Sequence, residues 1–293
     1  MIIIIILENY LCNINTLLIK KMFYFFKISK RVLMMKKVCV LFLLFLFSLP
    51  CYSKVITGEV SKELRQDVNQ IYDSHTNYPI EGVLIKIPSK NYETRTRSDG
   101  TFKLQTNIQA PTIMSLEKNG YKPYSMTINS NSFKTPISIG IEKTNPMDIV
   151  LETNMIHIGD DSFSSRSANA DDFSLNSSGS FYTKEFRIKD LIPDKNLYLM
   201  IGSIIGIDTI EAQRIGQSNV LTAYASPPEI FFNGSKISDI KINGDNQKIQ
   251  IPKGIIKWNS PNLVTIKAGR NLYKTSYIDY DDIEFTNLLF EFK

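Results

Sequence analysis

YIDYDDIEFTNLLFEFK, residues 277–293, decides how the chain is to be read. Ile283 and Phe285 hold odd positions, while Leu288, Phe290 and Phe292 hold even ones. Side chains at i and i+2 share one face of a strand, so a straight strand here would turn its apolar side over partway along. The sequence therefore predicts one closing strand with a bulge or bend at Thr286 to Asn287.

The same period recurs upstream. Val83, Ile85 and Ile87 alternate with Leu84 and Lys86, Phe102 and Leu104 with Lys103 and Gln105, Ile249 and Ile251 with Lys248 and Gln250, and Val264 and Ile266 with Thr265 and Lys267. Each run has one wet and one dry side. Asp99-Gly100, Asn119-Gly120, Asn233-Gly234 and Asn243-Gly244 lie between runs, and such pairs tolerate the positive φ of tight hairpin turns. Leu197 to Ile201 are apolar at every position, as in a central strand covered on both sides. Ser61 to Tyr72, with a capping Ser and helix formers, is the one stretch expected to form a short helix. Short strands with frequent turns predict an all-β chain of two β-sandwich domains.

From Met35 the chain reads MKKVCVLFLLFLFSLPCYSK, with Lys36 and Lys37 ahead of an apolar run from Val38 to Phe47, then Pro50, Cys51 and Ser53. A run this short between basic and small residues predicts a cleaved signal peptide and export to the periplasm, cell surface or medium. Residues 1–53 are thus expected to be an upstream extension plus signal peptide, with the true start at Met35. Two alternatives stand beside this: a membrane anchor from Ile2 to Ile19, which would place Glu8, Asn9, Asn13 and Asn15 in lipid, and lipid attachment at Cys51, preceded by a poor Ser48-Leu49-Pro50 box. After cleavage no stable membrane insertion is expected.

Cleavage at that point would remove Cys12, Cys39 and Cys51, leaving no disulfide, thiol nucleophile or thiolate metal site. It would also remove seven of 34 basic and one of 29 acidic residues, taking the formal charge from +5 to −1. The basic balance belongs to the leader, and the electrostatic case for a nucleic-acid partner goes with it.

Between Lys54 and Thr153 the order KVITGEV, PIEGVLIKI, TRTRSDGTFKL, SLEKNGYKPYSMTI, MDIVLE resembles the carboxypeptidase regulatory-like family, with a long insertion between Val60 and Pro79. That resemblance implies a transthyretin-like seven-stranded sandwich over 54–153, an interaction module without catalytic residues of its own. Residues 155–293, opening with IHIGDDSFSS and closing on residues 277–293, resemble galactose-binding-like jelly rolls. This second resemblance implies a carbohydrate-binding or adhesion module whose terminal strands pair, bringing the opening acids near the closing ones.

Chemistry is sparse. His75 and His157 are the only histidines, and neither lies in a nucleophile or triad context. His157, in MIHIG, reads as a core or edge residue of a strand; no zinc pair, phosphate loop or dinucleotide fingerprint occurs. The chain is therefore expected not to be an enzyme. Asp160 and Asp161 follow the opening strand, and Asp279, Asp281, Asp282 and Glu284 surround the start of the closing one. Calcium takes about 6–8 oxygen ligands, so Asp160, Asp161, Asp281 and Asp282 are the candidate set for a structural calcium, against the alternative that they cap loops and blunt strand edges. Sugar recognition needs flat aromatic faces flanked by hydrogen-bonding groups. Trp258, Tyr182, Tyr224, Tyr273 and Asn259 are the candidates, with core packing the alternative for Trp258. The expected function is non-enzymatic binding of a carbohydrate or cell-surface glycan, or alternatively a structural role that docks a protein partner through sandwich surfaces.

Overall fold

The computed structural model describes residues 67–108, 111–169, 173, 175–189, 192, 194–220, 225–270 and 282–293. All belong to the compact unit Ser61–Lys293. Their regular structure is mostly strand, in three antiparallel sheets and one parallel pair packed into sandwiches, with one short α-helix among the described residues.

The first layer is the antiparallel sheet β3-β2-β4-β5, made of β2 (Leu84–Ile87), β3 (Tyr92–Arg95), β4 (Thr112–Glu117) and β5 (Tyr124–Ile128). Opposite it, β1 (Gln70–Asp73) pairs in parallel with β6 (Ser138–Ile141). Ile71, Ile85, Ile87, Met114, Leu116, Ile128 and Ile141 fill the space between them. Of the stretch Ser61 to Tyr72, expected as a short helix, residues 61–66 lie outside the described residues, and Gln70 to Tyr72 belong to β1 instead. Ile71 faces the core and Gln70 and Tyr72 exchange backbone partners with β6, so long-range pairing overrides local helix propensity. KVITGEV lies outside the described residues.

The second pair of sheets encloses the larger core. One has the order β13-β10-β15-β7, with β8 also on β15; its strands are β7 (Ile149–Glu152), β8 (Ile156–Ile158), β10 (Leu197–Ile205), β13 (Gly244–Ile251) and β15 (Ile283–Phe292). The other has the order β12-β11-β14-β9, from β9 (Phe181–Arg187), β11 (Glu229–Phe232), β12 (Ser235–Asp239) and β14 (Pro261–Lys267). Helix α1 (Ile210–Arg214) is capped by the Thr209 hydroxyl, which accepts from the Ala212 N–H at 3.2 Å. Strand β7, placed by sequence at the end of the first unit, pairs with β15 of the second.

Asn233-Gly234 forms the β11–β12 hairpin with positive φ at both residues, 49° and 82°. Asn243-Gly244 does not form one. The Asn243 side chain is buried and braces the chain after β10, accepting from Ile207 N at 2.7 Å and donating to Ile207 O at 3.1 Å.

The bend in the closing strand is real. Asn287 has φ 59°, and Phe285 and Leu288, of opposite parity, face the same core. Strand β10 turns with it: Ile201 pairs with Leu288 and Ile204 with Phe285, and both flank Gly202. A Cβ at Gly202 would lie 2.4 Å from Ser125 Oγ and 2.7 Å from Asn287 Cβ, so only glycine fits. Ser125 belongs to β5, because the outer face of the first sheet lies on β10, β13 and β15. Every residue of β15 is buried for that reason, and Ile201 to Ile205 of β10 are covered on both sides while Tyr198 and Met200 are half-buried.

Candidate functional site

The pairing of β8 with β15 sets His157 opposite Glu284, with Asp282 one residue before the strand. Asp282 Oδ1 accepts from His157 Nε2 at 3.0 Å and from the backbone N–H of Asp161 at 2.8 Å. His157 Nδ1 faces Glu284 Oε1 at 3.5 Å, so the ring lies between two carboxylates, all three side chains being almost fully excluded from water. Gly159 makes this approach possible, since a Cβ there would lie 2.2 Å from Asp282 Oδ1. Burial disfavours charge on the ring, but hydrogen bonding and attraction to Asp282 and Glu284 outweigh it and push the His157 pKa up to about 9. At neutral pH the ring is an imidazolium, a donor at both nitrogens.

A loop seals the cluster. Phe173 lies against the His157 ring at 5.0 Å, and Phe163 meets Phe173 edge-on at 4.9 Å. Ser177 N donates to Asp161 Oδ1 at 2.9 Å, and Leu175 N donates to Glu284 Oε1 at 3.4 Å. The structure thus joins Asp161 and Asp282 as terminal-strand pairing implied, while Asp160 turns outward and accepts from Ser162 N at 2.9 Å. Asp281 lies outside the described residues.

His157, Asp161 and Asp282 bring potential ligand atoms within 4.8 Å of one another, and Asp282 Oδ2 is buried with no hydrogen-bond partner among the described residues. Among the described residues this set offers two carboxylates and a ring nitrogen, fewer than the about 6–8 oxygens a calcium ion takes.

Of the aromatic candidates, the two among the described residues, Trp258 and Tyr182, lie apart. Trp258 is half-buried with its ring stacked on Phe292 at 6.3 Å, and Asn259 beside it is exposed with φ 56°. Tyr182 lies edge-on to Phe285 at 5.6 Å and donates to Glu152 Oε2 at 3.2 Å. Phe285 and Phe292 are seven residues apart on one strand, a separation of roughly 23 Å. Tyr224 and Tyr273 lie outside the described residues.

A concave surface forms elsewhere, where the outer face of the first sheet meets the β7–β8 turn. Its volume is about 350 Å³, and its lining includes Lys86, Asn91, Tyr92 and Glu93 from one side and Asn154 and Leu175 from the other. Glu93, Lys86 and Ser115 form one cross-strand row on β3, β2 and β4. Tyr92, paired with Ile87, turns its side chain to the opposite, core-facing side of the sheet, where its hydroxyl donates to Lys103 O at 2.8 Å and accepts from Gln105 N at 3.3 Å. Sequence alone passes over this cleft, because its walls come from segments some sixty residues apart, and none carries a motif. The one available signal was a polar residue amid the apolar residues of each strand, Lys86 in LIKI and Ser115 in IMSL.

No family model and no curated protein matches the chain. Among solved structures, two crystal structures of BuGH86 in complex with neoagarooctaose, a variant and the wild type, are similar at 10% identity and a TM-score of 0.27. They cover 72% and 64% of this chain, which spans only 27% and 28% of theirs, and a likeness this slight carries no argument.

Proposed function

We propose that this chain is an exported, non-enzymatic binding protein whose ligand is a carbohydrate. The observation that carries the reading is the open cleft of about 350 Å³ between the two sandwiches, in whose lining Asn91, Glu93, Ser115 and Asn154 stand among apolar groups. Ligand sites of this kind combine apolar lining with a few placed polar groups that orient the ligand. The His157 cluster supports the absence of catalysis. A general base must reach its substrate and be deprotonated, and His157 is sealed under Phe173 and carries a proton. Export rests on the leader-like segment from Met35 to Ser53.

The alternative role, docking protein partners by strand addition, is opposed at the edges of the outer sheet. Lys184, Glu185 and Arg187 on β9 and Lys236 and Asp239 on β12 place charge along both edge strands, which discourages pairing with another chain.

The test is a broad glycan and polysaccharide screen of the protein isolated after export, with and without chelator. Reproducible binding that survives the chelator is the expected result. Silence across the screen from folded protein overturns the reading.

A further inference from the structure

We infer that the β4–β5 turn is a site of spontaneous covalent modification: the Gly120 amide nitrogen attacks the Asn119 side chain, and water converts the product to isoaspartate or aspartate.

Three Asn-Gly pairs occur in the sequence, at 119–120, 233–234 and 243–244. Glycine has no Cβ to shield its nitrogen, so all three pairs share the same local reactivity. The fold separates them by how it holds the carboxamide. Asn233 Nδ2 donates to Ile255 O at 2.7 Å and to Asn262 Oδ1 at 2.9 Å, and its Oδ1 accepts from Leu263 N at 2.9 Å. Asn243 is buried, with Ile207 N held by its Oδ1 at 2.7 Å and Ile207 O and Gln217 Oε1 accepting from its Nδ2. Ring closure at either pair breaks these bonds. Loss of ammonia there would also set a carboxylate oxygen against the acceptors Ile255 O and Asn262 Oδ1, or Ile207 O.

Asn119 carries neither restraint. It is exposed, and no hydrogen bond reaches its side chain among the described residues. Tyr121 N donates to Lys118 O at 3.0 Å and closes the turn, in which Gly120 takes φ 82°. Gly120 N donates to no backbone carbonyl among the described residues, and a Cβ built on Gly120 would meet nothing within 4 Å. The nucleophile is therefore bare and the ring has room to form in contact with water.

In the first step the Gly120 N–Cγ bond forms, the Asn119 Cγ–Nδ2 bond breaks, and the Gly120 amide proton leaves with Nδ2 as ammonia. The resulting succinimide takes up one water at either carbonyl. Opening at Cγ gives aspartate; opening at the Asn119 backbone carbonyl gives isoaspartate, in which the chain runs through the side chain. No group is oxidised or reduced, and the turn gains a carboxylate.

The experiment holds the exported protein in heavy-oxygen water at mildly alkaline pH, once folded and once in urea, and follows its peptides by mass spectrometry. In the folded protein the peptide containing Asn119 exchanges its side-chain nitrogen for one heavy oxygen, at least about tenfold faster than the peptides containing Asn233 and Asn243. Both isoaspartate and aspartate are expected. In urea the three rates come within about threefold of one another, because the hydrogen bonds that protect the other two pairs are gone. Conversion of folded Asn119 no faster than that of Asn233 or Asn243 overturns the assignment. The same tenfold order in urea also overturns it, since the selectivity would then lie in the sequence and not in the fold. Aspartate without isoaspartate overturns the ring closure by Gly120 and leaves direct hydrolysis in its place.

Discussion

His157 is a buried cation whose value to the fold has a definite sign. Its pKa rises from an ordinary 6.5 to about 9 in the folded chain, so the stabilisation it gives is fully present below pH 6.5 and is lost as pH climbs through about 9. A shift of this size corresponds to something on the order of 3 kcal/mol. Urea unfolding at a series of pH values between 6 and 10 is expected to show stability falling over that window, and in His157→Gln the slope should flatten. The same variant should cost about 3–5 kcal/mol at pH 7, because Asp282 and Glu284 are left buried without a counter-charge. With the imidazolium as the counter-charge to Asp282 and Glu284, millimolar calcium or a chelator should leave the melting temperature of the wild-type protein unchanged. A clear upward shift with calcium would falsify the assignment of that charge to His157. Part of this cluster was legible in the chain: Asp161 and Asp282 come together as strand pairing implied. The histidine's part was not, because one polar residue in IHI and one in IEF look like isolated interruptions until the two strands are set in register.

Strands β10 and β15 show what alternation can and cannot reveal. Ile283 and Phe285 against Leu288, Phe290 and Phe292 announce a reversal at Asn287, and the reversal is there. That β10 reverses at the facing Gly202 is invisible in LYLMIGSII, where apolar residues at nearly every position leave no parity to break. The double bend keeps both strands in register while moving their apolar sides, which a bulge in only one strand could not do. Gly202→Ala is therefore expected to cost about 2–4 kcal/mol, since its Cβ would strike Ser125 Oγ at 2.4 Å and Asn287 Cβ at 2.7 Å. Ser125→Gly relieves the first of those contacts and should recover part of the loss, measured as a shift in denaturation midpoint. A Gly202→Ala protein as stable as the wild type would mean that the two strands can separate freely at this point.

At the scale of the molecule, the faces that alternation marks as wet are the ones that join the sandwiches. Ser125 Oγ accepts from Ser203 Oγ at 2.9 Å, Thr127 N donates to Asp245 Oδ1 at 2.9 Å, and Lys122 Nζ reaches Glu291 Oε1 at 2.7 Å. Each of these residues reads as solvent-facing within its own strand or turn, so neither the seam nor the cleft at its edge can be seen until two polar faces are laid together. The Lys122 contact is the most costly to break. Its ammonium lies among Glu291, Asp148 and the more exposed Glu142, and burial that would otherwise lower its pKa is outweighed by them. Glu291 in turn is held below its usual value of 4.5: burial pushes it up, and Lys122 and Lys293 more than offset this. Its contribution is thus present above about that pH and lost on acidification. Lys122→Met should destabilise the protein by on the order of 3 kcal/mol at pH 7 and by less at pH 4, because protonation of Glu291 removes the stranded charge. The double variant Lys122→Met, Glu291→Gln should lose less than the two single variants combined, with a coupling of about 1–3 kcal/mol. Additive losses would place the attachment of the sandwiches in the Ser125 and Asp245 contacts. Non-additive ones make a buried ion pair the clasp, and a single unfolding transition in the wild type that splits in Lys122→Met would show that it holds the cleft's two walls together.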